Sequence, residues 1–181
     1  ISSLRKVLDE LCEMDLGNLT LVLKLLTLST GEWQRLRLGA CVGSGLSGIL
    51  YLFAGVVSAV DPLQRAGVVT ALKRLVAAGN TLVIMDAAPE LLKSADAVWE
   101  CEEGTIKSIG PEVLIHGVEG RVVRSSQDEW GLRGSGSWGG VDLQLPKGAM
   151  IGLTGKSGGG KTQFLRDIVL PVLKGNRKDY H

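Results

Sequence analysis

One glycine-rich segment limits what this chain can fold into more than any other feature. It spans residues 155–162 with the sequence GKSGGGKT, after the apolar run AMIGLT and before a helical pattern. The spacing matches G-x-x-x-x-G-K-[ST] at every fixed position. Such a loop follows a buried strand and opens a helix, so that its backbone N–H groups converge on an anion. We therefore predict a phosphate-binding strand, loop and helix in this part of the chain.

The residue types in this loop suit the phosphates of a nucleotide. Glycines let the backbone approach a ligand closely, the lysine reaches the β- and γ-phosphates, and the hydroxyl after it is a ligand for Mg²⁺. Thr162 is the predicted metal contact. The predicted binding residues are Gly155, Lys156, Ser157, Gly158, Gly159, Gly160, Lys161, Thr162 and Gln163.

Apolar runs alternate with helical spacings along the chain. Residues 49–53, 81–85 and 149–154 are apolar over the length of a strand, which predicts strands of a buried sheet. Helical spacing at residues 61–78 and 161–173 predicts helices between and after them. This order predicts an α/β fold with a mostly parallel core sheet, helices on both faces and small β-hairpin additions.

Local signals predict where two of the helices begin. Ser29 followed by Glu32 predicts a capping box that opens a helix. Asp61 and Pro62 predict the start of another helix, with Leu63 facing inward.

Composition shifts divide the chain into three parts. Residues 1–124 form the first part, which includes a β-like pattern at residues 19–26. Residues 125–140 are polar and rich in glycine and serine, which predicts a linker or a long loop. Residues 141–181 contain the strand, phosphate loop and helix.

Charge and composition exclude several classes of protein. Lys and Arg total 20 against 19 acidic residues, so no overall field attracts nucleic acid or a membrane. Aromatic residues make up 4%, too few for a base-stacking surface. Three widely separated cysteines favour reduced thiols over a disulfide framework or a zinc site. The uncharged residues 38–60 could span a bilayer, but their Gly/Ser-rich first half favours a loop followed by a buried strand.

Nucleotide hydrolysis needs more than a phosphate loop, because an acid must position the metal and another group must orient water. Four apolar residues lead to Asp86, which is the usual pattern for the metal acid. In most nucleotide hydrolases, however, that acid follows the phosphate loop. Asp86 is therefore either the metal acid or a carboxylate that caps the turn after its strand.

A second motif supplies a family resemblance. Residues 27–38, TLSTGEWQRLRL, resemble the signature of ABC ATPases, Leu-Ser-Gly-Gly-Glu followed by Gln-Arg. The resemblance implies that Ser29 and Gly31 contact the γ-phosphate of ATP held by the phosphate loop of an opposing domain, with Glu32 in the same site. Thr30 stands where glycine is usual.

Longer segments resemble the UvrA family of ABC excinuclease ATPases. VGSGLSGILYLF and LKRLVAAGNTLVIM resemble its first nucleotide-binding domain, and VDLQLPKGAMIGLTGKSGGGKTQFLRDIVLPVLK resembles the start of its second. That family is a bacterial ATP-dependent DNA-damage sensor of nucleotide excision repair. The resemblance implies ATP and Mg²⁺ as ligands, a homo- or heterodimer with an ABC ATPase domain, and a cytoplasmic location without a membrane. It also implies two further partners, DNA and another protein of the excision-repair system.

The departures from the family concern its catalytic groups. Where the family has Asp-Glu-Pro, this chain has Ala54, Gly55 and Val56, so the metal acid and the water-orienting acid are both missing. Where the family has Glu-His, this chain has Asp86 and Ala87, so the switch histidine is missing. The resemblance assigns positions 54 and 55 to a different nucleotide site from the phosphate loop.

We therefore expect an ATP-binding ABC-type module that hydrolyses ATP negligibly by itself and has no assigned catalytic residue. Three alternatives remain: a non-catalytic regulator that pairs with an intact homologue, a small phosphotransferase, and a remnant without function.

Overall fold

The computed structural model describes residues 2–20, 22, 27–102, 105–109, 128–134, 138, 140–156 and 158–174. Six α-helices are described: α1 (Ser2–Glu13), α2 (Thr30–Gly43), α3 (Arg65–Ala77), α4 (Pro89–Leu92), α5 (Lys161–Phe164) and α6 (Leu170–Leu173). A π-helical segment, Leu165–Val169, joins α5 to α6. The strands are β1 (Leu50–Ala54), β2 (Thr81–Met85), β3 (Ala97–Glu102), β4 (Thr105–Ile109), β5 (Glu129–Arg133), β6 (Asp142–Pro146) and β7 (Met150–Thr154).

Five strands form one sheet in the order β1-β2-β7-β3-β4. The first four are parallel to one another, and β4 returns antiparallel to β3 as a hairpin. Strands β2 and β7 are buried along almost their whole length, as expected for continuous apolar runs in the centre of a parallel sheet. The last strand in sequence, β7, therefore lies in the middle of the sheet, between two strands from the first part of the chain.

Each face of the sheet packs against its own hydrophobic cluster. On one face, residues of β1, β2 and β7 meet α2, α3 and α4, and the members include Phe53, Leu82, Ile84, Leu38, Leu72 and Leu91. On the other face, residues of β2, β3 and β7 meet α5 and the separate β5–β6 hairpin, and the members include Val83, Ile151, Leu153, Trp99, Phe164 and Leu145. The predicted α/β class, with a mostly parallel sheet, helices on both faces and hairpin additions, is confirmed.

The predicted helix start at Asp61 is wrong by several residues. The α3 helix begins at Arg65 with Gln64 as its N-cap residue, and the Asp61 side chain instead accepts a hydrogen bond from the Leu63 N–H at 3.0 Å. This local turn competes with the helix for the aspartate oxygen. Leu63 consequently lies before the helix and is 93% exposed, where inward packing was expected.

The predicted linker at residues 125–140 contains ordered structure. Residues 129–133 form β5, which pairs antiparallel with β6, and Leu132 and Trp138 are buried. Leu132 and Trp138 pack against the core together with Val141 and Leu145 of the following segment. In the β-like segment 19–26, Leu19, Thr20 and Val22 are described and are not strand, and residues 21 and 23–26 lie outside the described residues.

Candidate nucleotide-binding site

The phosphate loop leaves the centre of the sheet. Strand β7 ends at Thr154, and α5 begins at Lys161. Between them, Gly155, Gly158 and Gly160 have φ angles of +131°, +80° and +90°, a region that favours glycine. The predicted strand, loop and helix are therefore present, with the motif's glycines at the positions where the backbone needs them.

The loop lies directly against the end of β3. A Cβ atom on Gly155 would stand 2.0 Å from the Cys101 carbonyl oxygen, and one on Gly159 would stand 3.1 Å from the same oxygen. The Cys101 thiol donates a hydrogen bond to the Gly159 carbonyl at 2.7 Å. Burial raises the pKa of this thiol, although the Lys161 charge opposes the rise. Cys101 therefore remains a neutral donor that fastens the loop to the sheet.

The motif lysine is folded over its own loop. Its Nζ atom donates to the carbonyl oxygens of Gly155 at 2.8 Å and Lys156 at 2.7 Å. The neighbouring Lys156 forms an exposed ion pair with Glu102, 3.1 Å from Nζ to Oε1. An anion entering the loop would find the Lys161 ammonium already beside it, bound only by neutral carbonyls that a phosphate can replace.

The last motif residues open the helix. The Thr162 hydroxyl, on an exposed residue, donates to the Met85 sulfur at 3.7 Å, and Gln163 is exposed on the same turn. Ser157 lies outside the described residues. The structure thus brings eight of the nine predicted loop residues into one strand–loop–helix unit.

Asp86 is held by backbone N–H groups on both carboxylate oxygens. Its Oδ2 accepts from Val57 at 2.8 Å and Ser58 at 3.0 Å, and its Oδ1 accepts from Ala88 at 3.0 Å. The residue is 6% exposed. The bond from Ala88 caps the turn after β2, as the second interpretation of Asp86 predicts, and both carboxylate oxygens accept backbone hydrogen bonds.

Positions 54 and 55 share a sheet with the phosphate loop. Ala54 ends β1 in register with Met85 of β2, and the Gly55 N–H donates to the Met85 carbonyl at 2.9 Å. Met85 is in turn in register with Leu153 of β7. The assignment of these positions to a separate nucleotide site, which the resemblance implied, does not describe this chain as it folds here.

Few groups near the loop suit a divalent cation. Among the described residues, no group of three or more His, Cys, Asp or Glu side chains is close enough to hold a metal ion. The phosphate part of a magnesium–nucleotide fits the glycine loop and Lys161. For the metal itself, the Thr162 hydroxyl would be the ligand from the loop, and positions 54 and 55 carry no carboxylate.

The predicted capping box is confirmed. The Glu32 N–H donates to the Ser29 hydroxyl at 3.2 Å, and the Ser29 N–H donates to the Glu32 carboxylate at 2.8 Å. These two bonds hold the pKa of Glu32 below its ordinary value. A Cβ on Gly31 would stand 2.9 Å from the Ala59 carbonyl oxygen, so the first turn of α2 lies close to the loop after β1.

Two further residues of the signature connect α2 to its surroundings. Arg35 is buried and donates from Nη1 to the Met14 carbonyl at 3.1 Å and to the Gln64 side chain at 2.9 Å. Gln34 donates to the Ala54 carbonyl at 3.4 Å. The described hydrogen bonds of the signature residues therefore lead to α1, α3 and the end of β1, whereas those of the phosphate loop lead to β2 and β3.

Sequence reasoning missed three residues that contact the loop. Cys101, Glu102 and Trp138 all lie against it, and the first two end the strand next to β7. Their distance from the motif in sequence gave no signal, because strand order depends on non-local pairing. The single available signal for Trp138 was an aromatic residue within a polar glycine–serine stretch.

The sheet order and the loop at the end of its central strand define a protein of the P-loop ABC ATPase-like class. Comparison with curated proteins then gives the relatives. The chain is 30% identical over 94% of its length to UvrABC system protein A of Thermus thermophilus, and 27% identical over 99% to that of Mycoplasmopsis pulmonis. The resemblance to the UvrA family is therefore confirmed, and this chain is a homologue of UvrABC system protein A.

A comparison with solved structures also finds a UvrA protein. The crystal structure of UvrA2 from Deinococcus radiodurans matches 80% of this chain with a TM-score of 0.57 and 26% sequence identity. The chain spans about a fifth of the length of these relatives, 21% for both the Thermus protein and UvrA2. A scan against models of known protein families finds no match. Within the described residues, no helix has the length and apolar character needed to cross a membrane.

Proposed function

We propose that this chain is an ATP-binding module of the ABC type that binds the phosphates of ATP at residues 155–162. The observation that carries the proposal is the position of the Lys161 ammonium over a glycine loop at the start of a helix. Backbone N–H groups, the helix dipole and the lysine all favour an anion at this point. Mg²⁺ would accompany the nucleotide, with Thr162 as its protein ligand.

Hydrolysis by the chain alone should be negligible. The positions beside the loop that carry acids in the family are Ala54 and Gly55, and the carboxylate of Asp86 is engaged by three backbone N–H groups. A nucleotide could be held in this site, but no described carboxylate is free there to orient the attacking water. The chain would then act through occupancy of the site rather than through turnover.

A titration with a fluorescent ATP analogue and Mg²⁺ tests binding. Lys161→Ala should weaken binding by roughly 10-fold or more, because it removes the charge aimed at the phosphates. Lys147→Ala is the matched control, since Lys147 pairs with Asp128 on the β5–β6 hairpin and lies outside the motif. Equal binding by the wild type and Lys161→Ala would refute the proposed site.

Phosphate release at saturating ATP tests hydrolysis. The expected result is a rate indistinguishable between the wild type and Lys161→Ala. Robust turnover by the wild type that Asp86→Ala abolished, in a variant shown to be folded, would reverse both the assignment of Asp86 and the expectation of inactivity.

A second candidate is a non-catalytic partner of an intact homologue. Here the supporting observation is that the capping box of Ser29 and Glu32 is formed although the acids at positions 54 and 55 are missing. In such a pair, Ser29, Gly31 and Glu32 would contact a nucleotide held by the other protein. Co-sedimentation with an intact relative, with and without ATP, tests this, and the absence of any complex would remove the idea.

The wider cellular role rests on the names of the relatives. Proteins called UvrABC system protein A match nearly the whole chain, and this supports a place in nucleotide excision repair, with DNA and another excision-repair protein as its partners. The same matches support dimer formation and a cytoplasmic location for this chain. The division into residues 1–124, 125–140 and 141–181 stays a prediction, although β5 shows that the middle part is not all loop.

A further inference from the structure

The indole of Trp138 lies against the last glycine of the phosphate loop. Trp138 is 3% exposed, and a Cβ atom on Gly160 would stand 3.0 Å from its Cη2 and 3.3 Å from its Cζ2. Gly160 is the N-cap residue of α5, with φ of +90°. The far end of the indole therefore occupies the space beside the residue where the loop turns into the helix.

Backbone hydrogen bonds connect Trp138 to the β5–β6 hairpin. The Gly134 N–H donates to the Val141 carbonyl at 2.9 Å, and the Val141 N–H donates to the Trp138 carbonyl at 3.2 Å. A Cβ on Gly134 would stand 2.3 Å from that same Trp138 oxygen, so the backbone of Gly134 lies close to that of Trp138. These contacts join the Trp138 backbone to the end of β5 and the start of β6.

Phe164 on the first turn of α5 lies between two tryptophans. Its ring meets Trp138 at 5.5 Å and Trp99 of β3 at 6.1 Å between centroids, both edge-to-face. The two tryptophans share this neighbour and are both buried. They differ at the loop, because the side-chain atoms nearest to the Cβ position of Gly160 belong to Trp138 and Cys101.

The contact of Trp138 with the loop is made by the six-membered ring of its indole. The Trp138 Nε1 atom is buried and has no hydrogen-bond partner among the described residues. The indole atoms nearest to the Cβ position of Gly160 are the carbons Cη2 and Cζ2. The advantage of tryptophan here is its length, because its six-membered ring reaches Gly160.

We infer that Trp138 is a positioning residue for the phosphate loop: its ring holds Gly160 in the left-handed conformation that aims the following N–H groups of α5 at an anion. The inference rests on the proposed nucleotide site. The β5–β6 hairpin, whose first strand lies in the predicted linker, accordingly supports the carboxyl-terminal half of the loop together with Cys101 of β3. Loop geometry a fraction of an ångström too loose weakens ligand binding well before it unfolds the protein.

Two matched substitutions test this inference. Trp138→Phe and Trp99→Phe each shorten one buried ring against Phe164, but the first alone withdraws a ring from Gly160. Amide hydrogen exchange of residues 158–162 in the chain without nucleotide is the first measurement. Trp138→Phe should speed exchange there by roughly 10-fold, and Trp99→Phe should leave it within about 2-fold of wild type.

Titration with the fluorescent ATP analogue is the second measurement. Trp138→Phe should bind roughly 10-fold more weakly than Trp99→Phe at similar thermal stability. Equal loop exchange in the two variants would overturn the inference, because both would then affect only the core. A wild type that binds no nucleotide, but whose loop exchange still depends on Trp138, would refute the proposed function and leave the positioning role standing.

Discussion

The Thr162 hydroxyl donates a hydrogen bond to the sulfur of Met85, 3.7 Å away. Met85 ends β2 in register with Ala54, and the Gly55 N–H donates to its carbonyl. The predicted metal ligand of the phosphate loop is thus one strand away from the two positions where the family has acids. Strand β7, from the last part of the sequence, joins the same parallel sheet as β1, so positions 54 and 55 lie at the same end of the sheet as this loop.

Introducing an acid at position 54 should make the affinity for the ATP analogue depend on Mg²⁺. Ala54→Asp should increase affinity for the ATP analogue in Mg²⁺, relative to chelator, by roughly 10-fold, because a carboxylate would join Thr162 at the metal. Gly55 is the poorer position, since its φ of +64° strains any side chain. The measurement is a pair of titrations with and without Mg²⁺.

Ala78→Asp is the matched control for this change. Ala78 is exposed after α3, at the edge of the sheet where β2 begins, opposite the phosphate loop. The aspartate of this variant adds the same charge but does not reach the nucleotide site. A Mg²⁺ response that is the same in both variants would mean that position 54 does not face the nucleotide.

Much of this fold follows from local patterns. The capping box of Ser29 and Glu32, the buried strands β2 and β7 and the loop between β7 and α5 each depend on residues close together in sequence. Backbone geometry and burial at such positions are set within one turn or one strand, so a pattern is enough to predict them.

The remainder depends on contacts between distant residues. The central position of β7 cannot be inferred from its own sequence, because β2 and β3 lie far from it along the chain. Strand β5 was not predicted because its segment is rich in glycine and serine, although Leu132 and Trp138 there are buried. The Asp86 carboxylate accepts hydrogen bonds from Val57 and Ser58, which no spacing rule connects to it.

We expect the Asp86 carboxylate to stabilise the fold. Asp86→Ala removes the acceptor for three backbone N–H groups, two of them buried or part-buried near residue 57, and should lower the free energy of unfolding by about 3 kcal/mol. Asp61→Ala, which removes one exposed acceptor, should cost less than about 1 kcal/mol. Urea unfolding measures both. Comparable small losses would show that the hydrogen bonds of the Asp86 carboxylate do not stabilise the fold.

The capping box should make stability depend on pH in a stated direction. Its hydrogen bonds lower the pKa of Glu32 in the folded chain below the ordinary 4.5, so the ionised box stabilises the fold above that value. This contribution is lost as the pH falls through the folded pKa. Glu32→Gln keeps a hydrogen-bonding group but cannot titrate.

The difference in unfolding midpoint between wild type and Glu32→Gln is the quantity to follow. It should favour the wild type at neutral pH and vanish as the pH drops below the ordinary glutamate pKa of 4.5. Ser29→Ala, which removes the cap itself, should cost about 1 kcal/mol at neutral pH. A wild-type advantage that grew on acidification would contradict the sign.

The two ends of the glycine loop should respond differently to an added methyl group. Gly155→Ala places a Cβ 2.0 Å from the Cys101 carbonyl oxygen at φ of +131°, so the loop must move off β3. The expected cost is about 3 kcal/mol or more, with loss of binding to the ATP analogue. At Gly158 the Cβ enters open space, and φ of +80° alone should cost about 1–2 kcal/mol. Urea unfolding and analogue titration on both variants check the order, and a larger loss for Gly158→Ala in both would show that the loop does not rest on Cys101.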